Sequence, residues 1–136
     1  EAKVTRSMIS HGCVIEGTVE HSLLSPGVRV ARGAVVRDSI VMFDTYIGEG
    51  AVVDRSIIDK DCLIGNGARV GEGDDMRPNR KEPERLSAGI TLVGKRAFVP
   101  SGATIGRNCR IDPGVTEADF GGQHTVASGE TVVHAG

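Results

Sequence analysis

Four histidines (His11, His21, His124 and His134), three cysteines (Cys13, Cys62 and Cys109) and the lysines Lys60 and Lys95 are the side chains here whose types could support chemistry. A histidine set against a substrate would act as general base in acyl transfer from acyl-CoA. Three histidines meeting at one point would hold zinc and make a hydratase. Two thiols within reach would form a disulfide. Two lysines held side by side would attract an anion. Which of these is realised depends on where the backbone carries each group, and the aliphatic pattern sets that.

Isoleucine, leucine or valine recurs every six residues, often followed by glycine, as in Ile47-Gly48, Ile64-Gly65 and Ile105-Gly106. A six-residue period signals a parallel β-helix of triangular coils, each made of three short strands. Blocks 23–39, 40–56 and 57–73 align without gaps, superposing Leu24/Val41/Ile58, Val30/Ile47/Ile64 and Val36/Val53/Val70. Each ladder position then forms a vertical stack on one face, because a single coil cannot bury its own apolar side. Gly48, Gly65, Gly94 and Gly106 directly follow ladder residues, which suits either a positive φ or a close approach of the next coil. Residues 8–22 read as a shortened first coil, with Ile9 and Ile15 in ladder positions. Residues 74–89 carry four acidic and four basic side chains, two prolines and no ladder, and read as a solvated loop inserted at a corner. The ladder resumes at Val93, Val99, Ile105 and Ile111. The expectation is an all-β parallel β-helix over residues 4–116, about six coils long, with 117–136 as a carboxy-terminal cap or partly disordered tail.

This frame sorts the reactive groups. Each cysteine lies four residues after a ladder isoleucine, where other turns carry Ala34, Ala51, Ala68 and Ala103, so the thiols read as buried wall fillers. Ile9 and Ile58 fall three coils apart, about 14 Å, which puts Cys13 and Cys62 beyond disulfide reach. His11 points outward from a regular coil, His21 lies at a corner, and His124 and His134 are in the tail. They do not converge on a metal, and neither a metal ligand nor a catalytic residue is assigned. Lys60 and Lys95 both follow a ladder aliphatic by two residues, an outward position. If Val93 returns to the face that carries Ile58, the two ammonium groups project from adjacent coils. They then repel unless an anion bridges them; ordinary solvated lysines are the alternative. Arg96, Arg77, Arg80, Lys81 and Arg85 are secondary candidates, since mixed-sign loops are usually only solvated.

Composition removes several functions. With 136 residues the chain makes one domain, and with three Phe, one Tyr, no Trp and 19 Gly its core must be aliphatic. A formal charge of -2 offers no basic excess for nucleic acid. No apolar run approaches the roughly 20 residues that cross a bilayer. The start, Glu-Ala-Lys-Val, reads as the cut end of a longer polypeptide. Unpaired thiols suit a reduced, cytoplasmic setting.

The run from Ser7 to Val19 (SMISHGCVIEGTV), with Ser22-Leu23-Leu24-Ser25-Pro26-Gly27-Val28, resembles the carboxy-terminal domain of glucose-1-phosphate adenylyltransferases. Ile57-Ile58-Asp59-Lys60 and Gly89-Ile90-Thr91-Leu92-Val93-Gly94-Lys95 match that family's most telling stretches, in the same order around a charged loop. The resemblance covers roughly residues 4–116 and implies a left-handed winding. It also implies an amino-terminal catalytic domain, absent here, that joins ATP and glucose 1-phosphate into ADP-glucose with Mg²⁺, in glycogen or starch synthesis. The domain resembled packs on that catalytic part, helps build a homotetramer and contributes to an allosteric site. By motif, Lys60 and Lys95 fall on positions that bind an anionic sugar-phosphate or phosphate effector. No cofactor is expected in this chain, which is expected to be catalytically silent alone. A hexapeptide acyltransferase using acyl-CoA, and a purely structural oligomerisation module, are the competing readings.

Overall fold

The computed structural model describes residues 2–135 and forms a three-sided parallel β-helix. Strands are two or three residues long, so each contributes one or two inward side chains before the chain turns a corner. The first face stacks Lys3–Thr5, Thr18–Glu20, Val35–Arg37, Val52–Asp54, Arg69–Val70, Thr104–Ile105 and Thr125–Val126. The second stacks Met8–Ile9, Leu23–Leu24, Ile40–Val41, Ser56–Ile58, Thr91–Val93, Arg110–Ile111 and Thr131–Val132. The third holds five strands, from Val14–Ile15 through Arg29–Val30, Tyr46–Ile47 and Leu63–Ile64 to Phe98–Val99.

All pairing is parallel and keeps the ladder in register. Leu24 pairs with Val41 and Val41 with Ile58, Val30 with Ile47 and Ile47 with Ile64, Val36 with Val53 and Val53 with Val70. These inward aliphatics are fully buried and form one continuous core. Two faces have seven rungs, one more than the six coils the spacing suggests. The extra rungs come from the ends, where Val4 pairs with Val19, and where Val126 and Val132 pair with Ile105 and Ile111. The segment from Glu117 thus continues two faces of the helix. On the third face a short 3-10 turn, Glu117–Phe120, takes the place of a strand and buries Phe120.

The glycines after ladder residues are there for close approach. A Cβ on Gly65 would lie 2.4 Å from the Ser101 nitrogen, and one on Gly94 2.5 Å from the Pro113 nitrogen. The backbone of the next coil leaves no space at these points, and φ is not positive there.

The first corner, between the first and second faces, turns on one residue. Arg6, His21, Asp38 and Arg55 occupy it with φ of 47–50°, a left-handed conformation that costs a side-chain-bearing residue about 1 kcal/mol. A serine follows each. The hydroxyls of Ser22, Ser39 and Ser56 each donate to the carbonyl two residues back, at 2.8, 2.8 and 2.9 Å. The hydroxyls of Ser22 and Ser39 also accept the backbone N–H of the serine one coil further on, both at 3.1 Å. The column satisfies backbone groups that the sharp turn leaves out of the sheet ladders.

Residues 74–89 leave this corner and fold back on it. Expected as a solvated loop, the segment is exposed on its outer side but anchored beneath. The physical reason is a pair of buried amides. Asn79 is fully buried, donating to the Asn108 carbonyl at 3.0 Å and accepting the N–H groups of Lys81 and Glu82. Asn108, also fully buried, accepts the Gly89 N–H at 2.7 Å and donates to the carbonyls of Met76 and Arg77. Leu86 tucks under the loop, and Arg107 reaches across to the Gly73 carbonyl and to Asp54, at 2.8 and 3.1 Å.

Candidate anion site at the second corner

The pairing of Ser56–Ile58 with Thr91–Val93 brings Ile58 opposite Val93. The register carries on around the second corner, between the second and third faces. There Asp59 N–H donates to the Val93 carbonyl at 2.9 Å, and Arg96 N–H to the Lys60 carbonyl at 2.9 Å. Lys60 and Lys95 therefore occupy the same position of the same corner on adjacent coils, about 4.8 Å apart at the backbone. Both are exposed, and among the described residues neither is in an ion pair. Arg96 follows directly, exposed and likewise unpaired, at a φ of 61°.

Carboxylates surround this cluster, so their engagement matters. Asp59 turns its side chain back to accept the Lys60 backbone N–H at 2.7 Å. Asp112 is held by Arg110 at 2.8 Å, and Arg110 also binds Glu82. Asp61 is exposed beside the three cations, and Asp44 is exposed at the same corner one coil earlier. Two ammonium groups at this spacing repel by about 1 kcal/mol when surrounded by water, a repulsion that a bound dianion would convert to attraction. Beside the corner, a shallow groove of about 280 Å³ on the second face is lined by Met42, Ile57, Leu92 and Gly94.

Of the secondary candidates Arg96 is at this corner, and the loop cations lie elsewhere. The 74–89 insertion sits at the first corner, across the width of the second face from Lys60. Arg77 pairs with Asp75, Arg80 with Glu130 and Arg85 with Glu82. Nor do the histidines meet. His11 lies on the second corner three coils before Lys60, His21 pairs with Asp38 at 2.8 Å on the first corner, and His134 pairs with Asp119 at 2.8 Å near the carboxy-terminal end. Asp119 is drawn well below the usual carboxylate range, first by the Thr116 backbone N–H and then by the His134 ring. Among the described residues no group of three or more His, Cys, Asp or Glu could hold a metal ion.

All three cysteines are free thiols inside the walls. Each donates to a carbonyl of a neighbouring coil: Cys13 to Ser25, Cys62 to Gly94 and Cys109 to Ala127, at 3.2, 3.0 and 3.2 Å. Burial pushes the Cys62 thiol up to about 11 and raises that of Cys109, so neither is a nucleophile near neutral pH.

Two features went unread in the sequence. The serines of the first corner, spaced 15, 17 and 17 residues apart at 7, 22, 39 and 56, were a visible repeat. So were the aliphatic doublets of the second face, in which Met8, Leu23, Ile40, Ile57 and Leu92 each precede the inward residue. By register these five form an outward apolar row.

The comparisons with known proteins agree with this geometry. A glucose-1-phosphate adenylyltransferase of Thermomicrobium roseum is 61% identical over 96% of the chain, covering 31% of that protein. Those of Acetivibrio thermocellus and Thermotoga maritima are 40% and 42% identical over 86% and 97% of the chain, covering 27% and 31% of their own lengths. The chain thus spans about three tenths of these relatives and matches their carboxy-terminal part. In three dimensions it is similar to the acetyltransferase domain of PglB from Neisseria gonorrhoeae, with a TM-score of 0.59 at 20% identity over 94% of this chain and 49% of that one. That likeness is one of fold. Residues 1–93 match the family model described as GlmU-like, C-terminal hexapeptide, and the chain belongs to that family.

Proposed function

We propose that this chain is the regulatory and oligomerisation part of an ADP-glucose-forming nucleotidyltransferase. In this reading Lys60 and Lys95 hold an anionic effector, a sugar phosphate or phosphate. The observation that carries the site is the Ile58–Val93 register, which brings two unpaired lysines together on one exposed corner. The similarity to glucose-1-phosphate adenylyltransferases carries the choice of parent reaction, ATP plus glucose 1-phosphate giving ADP-glucose and pyrophosphate. In this reading ATP and Mg²⁺ are bound by the part of the full-length enzyme that this chain does not span. The Lys60–Lys95 corner is open on one side, which suits completion of the site by groups of that upstream part or of a sister subunit. A cytoplasmic setting suits the free thiols.

The test is ADP-glucose synthesis by the full-length polypeptide, with and without fructose 1,6-bisphosphate, phosphoglycerate or phosphate. Lys60→Ala should leave basal synthesis nearly intact and shift the half-effective effector concentration upward by about tenfold, the loss of one charge-assisted contact. An unchanged effector response removes Lys60 from the site. Acetyl-CoA turnover by the 136-residue chain, expected to be nil, tests the acyltransferase alternative.

A further inference from the structure

The carboxy-terminal segment brings the chain back to the second corner. Val93 pairs with Ile58, Ile111 with Val93 and Val132 with Ile111. The residue two places after each is therefore Lys60, Lys95, Pro113 and His134 in turn, one position of this corner on successive coils. The next position runs Asp61, Arg96 and Gly114, and the Gly114 N–H donates to the Lys95 carbonyl at 3.0 Å. Gly114 has no side chain, and the His134 ring leans into the space. A Cβ on Gly114 would lie 3.3 Å from His134 Cδ2 and 3.7 Å from its Nε2. The imidazole thus takes the side-chain place that Arg96 holds one coil earlier, about 4.8 Å away at the backbone.

Asp119 fixes which ring nitrogen carries the proton. Its carboxylate accepts the N–H groups of Thr116 and Ala135, at 2.8 and 3.0 Å, and the Thr116 hydroxyl at 3.2 Å. These bonds, the Thr116 N–H first among them, keep Asp119 ionised, and an ionised carboxylate only accepts. Nδ1 of His134, 2.8 Å away, must therefore donate to it. In the neutral ring this tautomer leaves Nε2 with a bare lone pair, which repels an anion. In the doubly protonated ring the same nitrogen becomes an N–H donor. The side chain is 39% exposed, so a ligand can reach it. Of the other charged groups on the elements around the ring, Asp112 is held by Arg110, and Arg80 pairs with Glu130. Glu117 of the 3-10 turn is exposed, and Lys95 and Arg96 on the preceding coil are outside any ion pair among the described residues.

We propose that His134 is a further anion-binding residue of the Lys60–Lys95 corner, joining Arg96 in holding a dianionic oxyanion, and only when both its ring nitrogens carry protons. The inference rests on the functional reading above for the two lysines. To that reading it adds a residue from the carboxy-terminal segment and a grip that tightens as pH falls.

Sulfate is the probe, because its charge is constant between pH 5.5 and 8.5 and that of phosphate is not. At matched ionic strength the 136-residue chain should bind sulfate about tenfold more tightly at pH 5.5 than at pH 8.5, the worth of one charge-assisted hydrogen bond. His134→Ala should abolish that ratio by weakening binding at pH 5.5 alone. Linkage gives a second reading, on the ring itself. Saturating sulfate should raise the midpoint of the His134 ring-proton NMR titration by about one pH unit, the resonance being assigned by its loss in His134→Ala. His11, at the same corner three coils before Lys60, should move by less than about 0.3. Equal sulfate affinity at the two pH values, a pH dependence that survives in His134→Ala, or an unmoved midpoint each overturns the proposal. Lys60→Ala keeps its failure distinct from that of the lysine site. Weaker sulfate binding at both pH values in that variant, with no contribution from His134, leaves the lysines in place and removes the histidine. Absence of sulfate binding at either pH overturns both.

Discussion

The first and second corners of this prism both carry the chain from one face to the next and are equipped differently. At the first, most of the polar side chains are engaged by the fold, although Arg6 and Arg55 stand exposed. Serine hydroxyls bridge coils, Asn79 and Asn108 knit the insertion to the corner, and Arg107 grips Asp54. At the second, Lys60, Lys95 and Arg96 stand exposed without an ionic partner among the described residues. A polar group already satisfied by its own protein cannot take a ligand without a structural loss; a free one can. The first corner is a fastening, and the second is the one proposed here as a surface for recognition.

That division predicts a stability effect without an effector effect on one side, and the reverse on the other. The largest expected loss is an exception placed inside the second corner. Gly94 directly precedes Lys95, and a Cβ there would lie 2.5 Å from the Pro113 backbone nitrogen. Gly94→Ala should cost about 3–4 kcal/mol, because the obstacle is backbone of the next coil and cannot swing aside. Denaturant unfolding of the 136-residue chain measures it. A loss below 1 kcal/mol would mean that the coils separate easily and that the corner is looser than its geometry.

Asn108→Ala strikes the first corner. It leaves the Gly89 N–H and the carbonyls of Met76 and Arg77 without their partner, a cost of about 2–3 kcal/mol. The insertion should then become a proteolysis site between residues 74 and 89, while effector response in the full-length polypeptide is retained. Effector response lost together with the loop would join the two corners into one functional unit and end the contrast.

How much of this was legible in the sequence follows the same line. The inward stacks were readable because Leu24, Val41 and Ile58 repeat at a fixed spacing, and burial demands aliphatics at each. The register that joins Lys60 to Lys95 was readable once the insertion was recognised as an insertion. What anchors the insertion was not. Asn79 sits in a run of charges that reads as solvated, and its partners Asn108 and Thr131 are 29 and 52 residues away. Nor was the last rung, because the step from Ile105 to its partner Val126 is 21 residues rather than 17 and passes through a 3-10 turn. The first rung could have been read, since Val4 precedes Val19 by the same 15 residues that separate Ile9 from Leu24.

The inner side of the second corner gives a smaller, pH-dependent test. Cys62 lies behind Lys60, donating to the Gly94 carbonyl, and burial raises its folded-state pKa to about 11 against an ordinary value of 9.0. A raised acid pKa means that the folded state holds its proton more tightly than the unfolded one. The contribution is then fully present below about pH 9 and is lost as pH climbs through 11. Over that interval the chain should lose on the order of 2 kcal/mol more than Cys62→Ala does. Tm measured at pH 8 and at pH 10.5 for both proteins decides it, and parallel losses would show that the thiol is not held protonated by its surroundings.

The smallest effect on folding belongs to the lysines, and its smallness is the point. If Lys60 and Lys95 support nothing in the fold, Lys60→Ala combined with Lys95→Ala should change the stability of the 136-residue chain by less than about 0.5 kcal/mol, the usual range for exposed positions. The sign should favour the variant at low salt, where the ammonium groups repel, and the gain should vanish at high ionic strength. Inorganic phosphate separates a binding corner from a merely solvated one. At tenfold over its dissociation constant it would stabilise the unaltered chain by about 1.4 kcal/mol and the double variant not at all. Sodium chloride at matched ionic strength controls for screening. A phosphate response that survives in the double variant would place the anion at some other cation, and the contrast between the two corners would then lose its recognition half while keeping its structural one.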